Sequence, residues 1–249
     1  MSEGVTLGLI GGTGLTSLDD MAGELDIETP FGAPSAPISV ISTEPVRLLF
    51  LPRHGSPHRY PPHCVNYRAN MWALKEAGAQ QVLAVSAVGG ITENYAPGTL
   101  AVSDQLVDFT WGREHTYHDS PDVPLVHVDF TNPYGGPLRE RLLQAARTES
   151  LDVVDGGCIG VFQGPRLESA GEIRMARGAG CDMAGMTSLP EAGLARELGI
   201  DYAGLAVVSN WGAGVHDELI SEDDIAETLR EPMARVRQLL AALVDGLGD

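Results

Sequence analysis

Val5-Thr6-Leu7-Gly8-Leu9-Ile10 reads as a buried strand, and it runs straight into the turn Gly11-Gly12-Thr13-Gly14. The same punctuation recurs three times downstream. Arg47-Leu48-Leu49-Phe50-Leu51 ends at Pro52-Arg53-His54-Gly55, and Gln81-Val82-Leu83-Ala84-Val85 ends in Ser86-Ala87-Val88-Gly89-Gly90. Leu205-Ala206-Val207-Val208 ends in Ser209-Asn210. Apolar strands that finish in small or polar residues fit an α/β domain, where ligands gather beyond the strand ends.

The intervening segments carry helical spacing. Between Val65 and Ala77, Met71, Leu74 and Ala77 share one side, and Gly78 stops the pattern. Helices are expected over 137–149, 169–179, 190–198 and 222–245, with further strands over 106–109, 158–162 and 202–208. In the last helix Ile225, Leu229, Met233, Val236, Leu240 and Leu243 recur at helical intervals. Ser221 is placed to cap it, and Asp223 and Asp224 sit where the helix dipole favours negative charge. Pro232 is expected to bend or divide it. Strands alternating with helices over 249 residues, with no repeat or linker-like tract, predict one α/β domain spanning 1–249.

Composition narrows the function. Sixteen basic against 34 acidic residues give a formal charge of −18, which opposes general nucleic-acid binding and an anionic membrane as partner. Met1-Ser2-Glu3-Gly4 lacks the basic start of a signal peptide, and no apolar run is long enough to cross a bilayer. Cys64, Cys158 and Cys181 are odd in number and scattered, so they form neither a disulfide framework nor a spaced metal site. They read as small apolar residues of a protein in the reducing cytoplasm.

Glycine lets the backbone approach an oxyanion closely, and the hydroxyl of Thr13 adds a donor. No Gly-Lys-Ser/Thr follows, so the loop is not a Walker A motif, and Ser17 occupies the third glycine position of a dinucleotide fingerprint. Alone, the loop reads as a tight turn. Arg53-His54 weights it towards phosphate, because guanidinium offers a planar fork of donors and histidine can add another. A surface salt bridge for Arg53 and a core position for His54 are the alternatives. Glu168 follows Gln163-Gly164-Pro165-Arg166-Leu167 at a helix start, where the dipole favours a carboxylate. Asn210 follows an apolar run, where a turn residue is expected. Residue types alone do not link these two. There is no Gly-x-Ser-x-Gly elbow for a serine hydrolase and no compact His/Cys cluster for zinc.

Taken in order, these motifs resemble the trimeric purine nucleoside phosphorylase and methylthioadenosine phosphorylase family over essentially the whole chain. The markers are Ile10-Gly11-Gly12-Thr13-Gly14, Thr29-Pro30-Phe31-Gly32 with Pro34-Ser35, and Arg53-His54-Gly55. Val65-Asn66-Tyr67-Arg68-Ala69-Asn70-Met71-Trp72-Ala73-Leu74-Lys75, Gly164-Pro165-Arg166 and Met186-Thr187-Ser188-Leu189-Pro190-Glu191 complete the set. Gly112-Arg113-Glu114-His115-Thr116-Tyr117 and Asn132-Pro133-Tyr134 are similar to the bacterial methylthioinosine branch.

The resemblance implies a twisted mixed sheet, partly barrel-like and surrounded by helices. It implies a phosphate cradle of Thr13, Arg53, His54, Ser86, the backbone at Ala87 and the hydroxyl of Thr187. Met186 and Leu167 become substrate contacts, with Met186 against the ribose, and Asn210, Glu168 and His54 the catalytic set. It also implies a homotrimer in which His127 of one subunit reaches the sugar bound by its neighbour; an ordinary surface position is the alternative for His127. Inorganic phosphate is then a co-substrate, with no cofactor and no metal.

Glu168 and Asn210 together match the 6-oxopurine branch of that family; the adenine-preferring branch carries serine and aspartate there. The chemistry agrees. Hypoxanthine and guanine have a proton on N1, which a carboxylate accepts, while an amide can donate to N7 or O6. Adenine has no N1 proton, and that mismatch costs about 1–3 kcal/mol when buried. The 5′ end is read from Ser221-Glu222-Asp223-Asp224-Ile225, in two ways. Glu222 can bond a 5′-hydroxyl, as in inosine or guanosine, or point to solvent and leave Ile225 and Leu219 to meet a thiomethyl group. Whole-chain likeness favours methylthioinosine. The alternative from another class is a non-catalytic purine- or phosphate-binding protein.

Overall fold

The computed structural model describes residues 4–16, 21–42, 45–217 and 219–248. Met1, Ser2, Glu3 and Ser17, used in the sequence reading, lie outside the described residues. The chain runs β1 (Thr6–Gly11), β2 (Met21–Leu25), β3 (Ile38–Ser42), β4 (Arg47–Pro52), α1 (Tyr67–Glu76) and β5 (Gln81–Gly90). It continues with β6 (Leu100–Val102), β7 (Gln105–Asp108), α2 (Pro137–Thr148), β8 (Val154–Asp155), β9 (Cys158–Val161) and α3 (Ala170–Gly178). It ends with β10 (Met183–Gly185), α4 (Ser188–Glu197), β11 (Asp201–Trp211) and α5 (Glu222–Gly248).

All these strands join one mixed, branched sheet, and its pivot is β5. Along one edge β5 pairs in parallel with β11 from Gln81↔Asp201 to Val88↔Val208. Along the other edge it changes partner. Gln81 to Ala84 pair in parallel with β1, whereas Gly89 and Gly90 pair antiparallel with β10. Val85 to Val88 lie between the two, without a strand partner on that edge among the described residues. There the sheet opens.

Strand alternation builds a layer of helices on each side. Leu7 and Leu9, Leu83 and Val85, and Leu205 and Val207 are buried against α2 and α5. Ile10, Val82, Ala84 and Tyr202 are buried with α1 and α4. The α/β class and the expected helices are present.

β5 begins at Gln81 and ends in Ser86–Gly90 as expected, with β11 paired along that length. The differences have local causes. β2, β3, β6, β8 and β10 were not anticipated. β6, β8 and β10 have two or three residues, and β2 is mostly exposed, so neighbours rather than an apolar pattern make them strands. Pro232 does not divide α5, which continues to Gly248. An interior proline costs about 3 kcal/mol, and burial of Leu229, Met233, Val236 and Leu240 offsets it. Ser221 caps α5 as expected, its Oγ accepting from the N–H of Asp224 at 3.1 Å.

Where the sheet opens, Arg53 is 1 % exposed and ties four elements together. Its Nε and Nη2 donate to the two oxygens of Glu191 in α4, at 2.5 and 3.0 Å, and Nη1 donates to the carbonyl of Val85 at 3.1 Å. The hydroxyl of Tyr202 in β11 completes the carboxylate at 3.0 Å. Removing one partner of such a pair strands the other charge. Glu191→Ala is therefore expected to destabilise the protein by about 3–5 kcal/mol, measured by urea denaturation. A change below about 1 kcal/mol would show that the pair is not needed.

Candidate active site

The opening in the sheet is the floor of a cavity of about 640 Å³. Thr13, Arg53, His54, Ser86, Ala87, Leu167, Glu168, Met186, Thr187 and Asn210, singled out from the sequence, all line it. His127 does not; it is exposed in the segment between β7 and α2. At the mouth the first turn of α5 contributes Glu222, Ile225 and Ala226, whereas Leu219 is 94 % exposed and lies outside the lining.

One end of the cavity carries the polar groups of β1, β4, β5 and the start of α4. Thr187 precedes α4 but its side chain makes no capping bond. Its hydroxyl instead lies 3.3 Å from that of Ser86. The glycines of the first loop serve packing. A Cβ on Gly12 would stand 2.7 Å from Nη1 of Arg53, and one on Gly11 2.1 Å from the carbonyl oxygen of Leu15. Gly12 thus makes room for the guanidinium itself. His54 departs from expectation. Its Nδ1 donates to the carbonyl of Tyr60 at 2.8 Å, so the one N–H of the neutral ring is spent within the protein. Burial, with the neighbouring Arg53 charge, pushes its pKa down to about 4.

The other end holds Glu168 and Asn210. The capping box of α3 is built by Ser169 and Glu172, and Arg166 pairs with Glu172. Glu168 is thereby released from the helix-start role. Its Oε1 is buried without a hydrogen-bond partner among the described residues, and burial pushes its pKa up. Asn210 is not a turn residue but part of β11, just after a bulge. The register slips so that Asn210 faces Gly89, leaving Ser209 as the extra residue. The Ser209 hydroxyl donates to Oδ1 of Asn210 at 2.7 Å, and Nδ2 donates to the carbonyl of Trp211 at 2.8 Å. The amide is fixed with one N–H to spare.

Sequence reasoning assigned no role to Arg113, whose guanidinium holds the two loops bearing these groups. It donates to the carbonyls of Met186 and Leu189 (both 2.8 Å), to those of Phe162 (3.0 Å) and Gln163 (2.9 Å), and to Oε1 of Gln163 (3.2 Å). Glu191, present in a motif quoted above, likewise gained meaning only from its contact with Arg53.

The family model described as Phosphorylase superfamily matches residues 6–245. A probable S-methyl-5′-thioinosine phosphorylase of Xanthomonas campestris is 47 % identical over 230 residues, covering 92 % of this chain and 91 % of that protein. A purine nucleoside phosphorylase of Streptomyces coelicolor is 41 % identical, covering 97 % and 89 %. Among solved structures, methylthioadenosine phosphorylase from Schistosoma mansoni in complex with tubercidin superimposes with a TM-score of 0.92 at 35 % identity, covering 98 % and 92 %. Sequence, fold and cavity agree, and the chain belongs to the Phosphorylase superfamily, among its nucleoside phosphorylases.

Proposed function

We propose that the protein cleaves a 6-oxopurine nucleoside with inorganic phosphate, and that its substrate is S-methyl-5′-thioinosine, giving hypoxanthine and 5-methylthioribose 1-phosphate. The observation that carries the base assignment is the unpartnered Oε1 of Glu168, buried in the same cavity as the fixed amide of Asn210. A buried carboxylate oxygen without a partner calls for a donor, which N1–H of hypoxanthine supplies and adenine lacks. The spare N–H of Asn210 donates to N7 or O6.

Phosphate occupies the opposite end, against Thr13, Arg53, His54, Ser86, the backbone at Ala87 and Thr187, with Met186 along the ribose and Leu167 beside the substrate. Holding phosphate under C1′ supplies proximity and alignment. As the glycosidic bond stretches, positive charge grows on the sugar and negative charge on the purine. Phosphate stabilises the first, and the Asn210 hydrogen bond the second. Both contacts strengthen as charge develops, so they lower the barrier rather than merely tighten binding. No covalent intermediate, metal or cofactor is required. His127 reaches the sugar of a neighbouring subunit in a homotrimer, which suits its exposure away from its own cavity. The enzyme works in the cytoplasm.

The thiomethyl reading draws on the half-buried Ile225 in the lining and on relatives named for methylthioinosine. The presence of Glu222 in the same lining favours a second reading, inosine or guanosine.

Release of free base from methylthioinosine, inosine, guanosine and methylthioadenosine, with and without phosphate, decides among these. Phosphate-dependent cleavage fastest for methylthioinosine is expected; faster inosine or guanosine cleavage replaces the 5′ assignment and keeps the reaction. Asn210→Asp is expected to shift preference towards adenine nucleosides by roughly tenfold or more in kcat/KM. An unchanged preference would mean that residue 210 does not read the base.

A further inference from the structure

His54 follows β4, and its backbone carbonyl accepts from the N–H groups of Arg59 (2.9 Å) and Tyr60 (3.0 Å). The loop closed in this way brings the carbonyl of Tyr60 to 2.8 Å from Nδ1 of the same histidine. A carbonyl can only accept, so Nδ1 carries the proton, and in the neutral ring Nε2 is a lone pair. Nε2 has no partner among the described residues, and the ring lines the cavity.

The surroundings keep the ring neutral. It is 8 % exposed, the Arg53 cation is the next residue, and the ring of His58 stacks on it at 4.4 Å with 14° between planes. Burial, Arg53 and His58 all oppose a second proton; among the groups acting on the ring, only the carbonyl of Tyr60 favours it. Around this acceptor the groups assigned to phosphate can all donate: the two remaining N–H bonds of Arg53, the hydroxyls of Thr13, Ser86 and Thr187, and the backbone N–H of Ala87. A set of donors with one fixed acceptor complements an oxyanion that itself carries one proton.

We propose that the cavity takes its phosphate as hydrogen phosphate, with the P–O–H group donating to Nε2 of His54, and that this acceptor discriminates against proton-free anions of the same size, such as sulfate. The proposal rests on the phosphorolytic reading given above. Charge cannot make the distinction, because at mildly alkaline pH both anions are dianions. Proton content can. Sulfate would set an oxygen lone pair against the lone pair of Nε2, whereas hydrogen phosphate and hydrogen arsenate satisfy it. The proton stays on the phosphate throughout binding. His54 selects which oxygen bears it and leaves the others unprotonated for attack at C1′.

Calorimetric titration of the full chain with phosphate, arsenate and sulfate, at mildly alkaline pH and constant ionic strength, tests this. Phosphate and arsenate are expected to bind within a few-fold of each other, and sulfate at least about tenfold more weakly. Nitrogen NMR of the histidines is expected to show Nε2 of His54 unprotonated both before and after phosphate is added. His54→Gln, whose amide can turn to donate or accept, is expected to bring the phosphate-to-sulfate ratio close to one. Equal affinity for the two anions in the wild-type protein, or a protonated Nε2 in the phosphate complex, overturns the proposal. Should the variant fail to fold, the wild-type ratio and the NMR spectrum decide. Assaying nucleoside cleavage on the same preparation separates the two levels. Phosphate-dependent cleavage with equal sulfate binding removes only the role of His54, while no phosphate binding and no phosphate-dependent cleavage removes both.

Discussion

A guanidinium buried at 1 % exposure cannot stand alone, and the arrangement of the cavity floor follows from how Arg53 is neutralised. Glu191, wholly buried, takes two of its N–H bonds, and the carbonyl of Val85 takes a third. β4, α4 and β5 are thereby fixed relative to one another, with β11 joined through Tyr202. Gly12 is part of the same constraint, since any Cβ there would collide with Nη1. The ion pair makes a position rather than a surplus of charge. Its remaining donors are held in place before any ligand arrives, which is what preorganised electrostatics requires.

β1, β4, β5 and β11 were legible because each is an apolar run that stops at a glycine, a proline or a polar residue. The helices were legible because their apolar residues recur with the helical period. What could not be read is tertiary. Met183-Ala184-Gly185 has no pattern of its own and becomes a strand only where β5 and β9 offer it edges. Nothing in Val208-Ser209-Asn210 announces a bulge, yet that one extra residue decides where Asn210 stands. Arg113 spreads its donors over two loops some fifty and seventy residues further along the chain. Nothing in the sequence assigned this arginine a role; only the fold supplies the carbonyls. His54 shows the reverse case, a residue noticed by its motif and found in the cavity lining, whose hydrogen-bond polarity depends on the carbonyl of Tyr60.

The charge of the chain and the chemistry of the cavity point in different directions, and distance reconciles them. A formal charge of −18 raises a weak repulsion for any approaching anion, screened within about 10 Å at ordinary salt. Within the cavity, backbone and hydroxyl dipoles act at hydrogen-bonding range, where they outweigh the distant field. At the other end of the cavity the same logic runs in the opposite sense: the Glu168 oxygen without a hydrogen-bond partner among the described residues presents negative character, and the Asn210 amide presents a donor.

The change of partner along β5 has a consequence for how such an enzyme diversifies. The floor opens where one strand parts from β1 before meeting β10, so the space is laid down by backbone pairing and then fixed by the Arg53–Glu191 pair. Three separate pieces of chain line that space: the strand ends with Thr13, Arg53 and Ser86, the approach to α3 with the β11 bulge, and the first turn of α5. One turn of helix at the rim can therefore vary at little cost to the core, whereas the floor is locked to the core through Arg53 and Glu191.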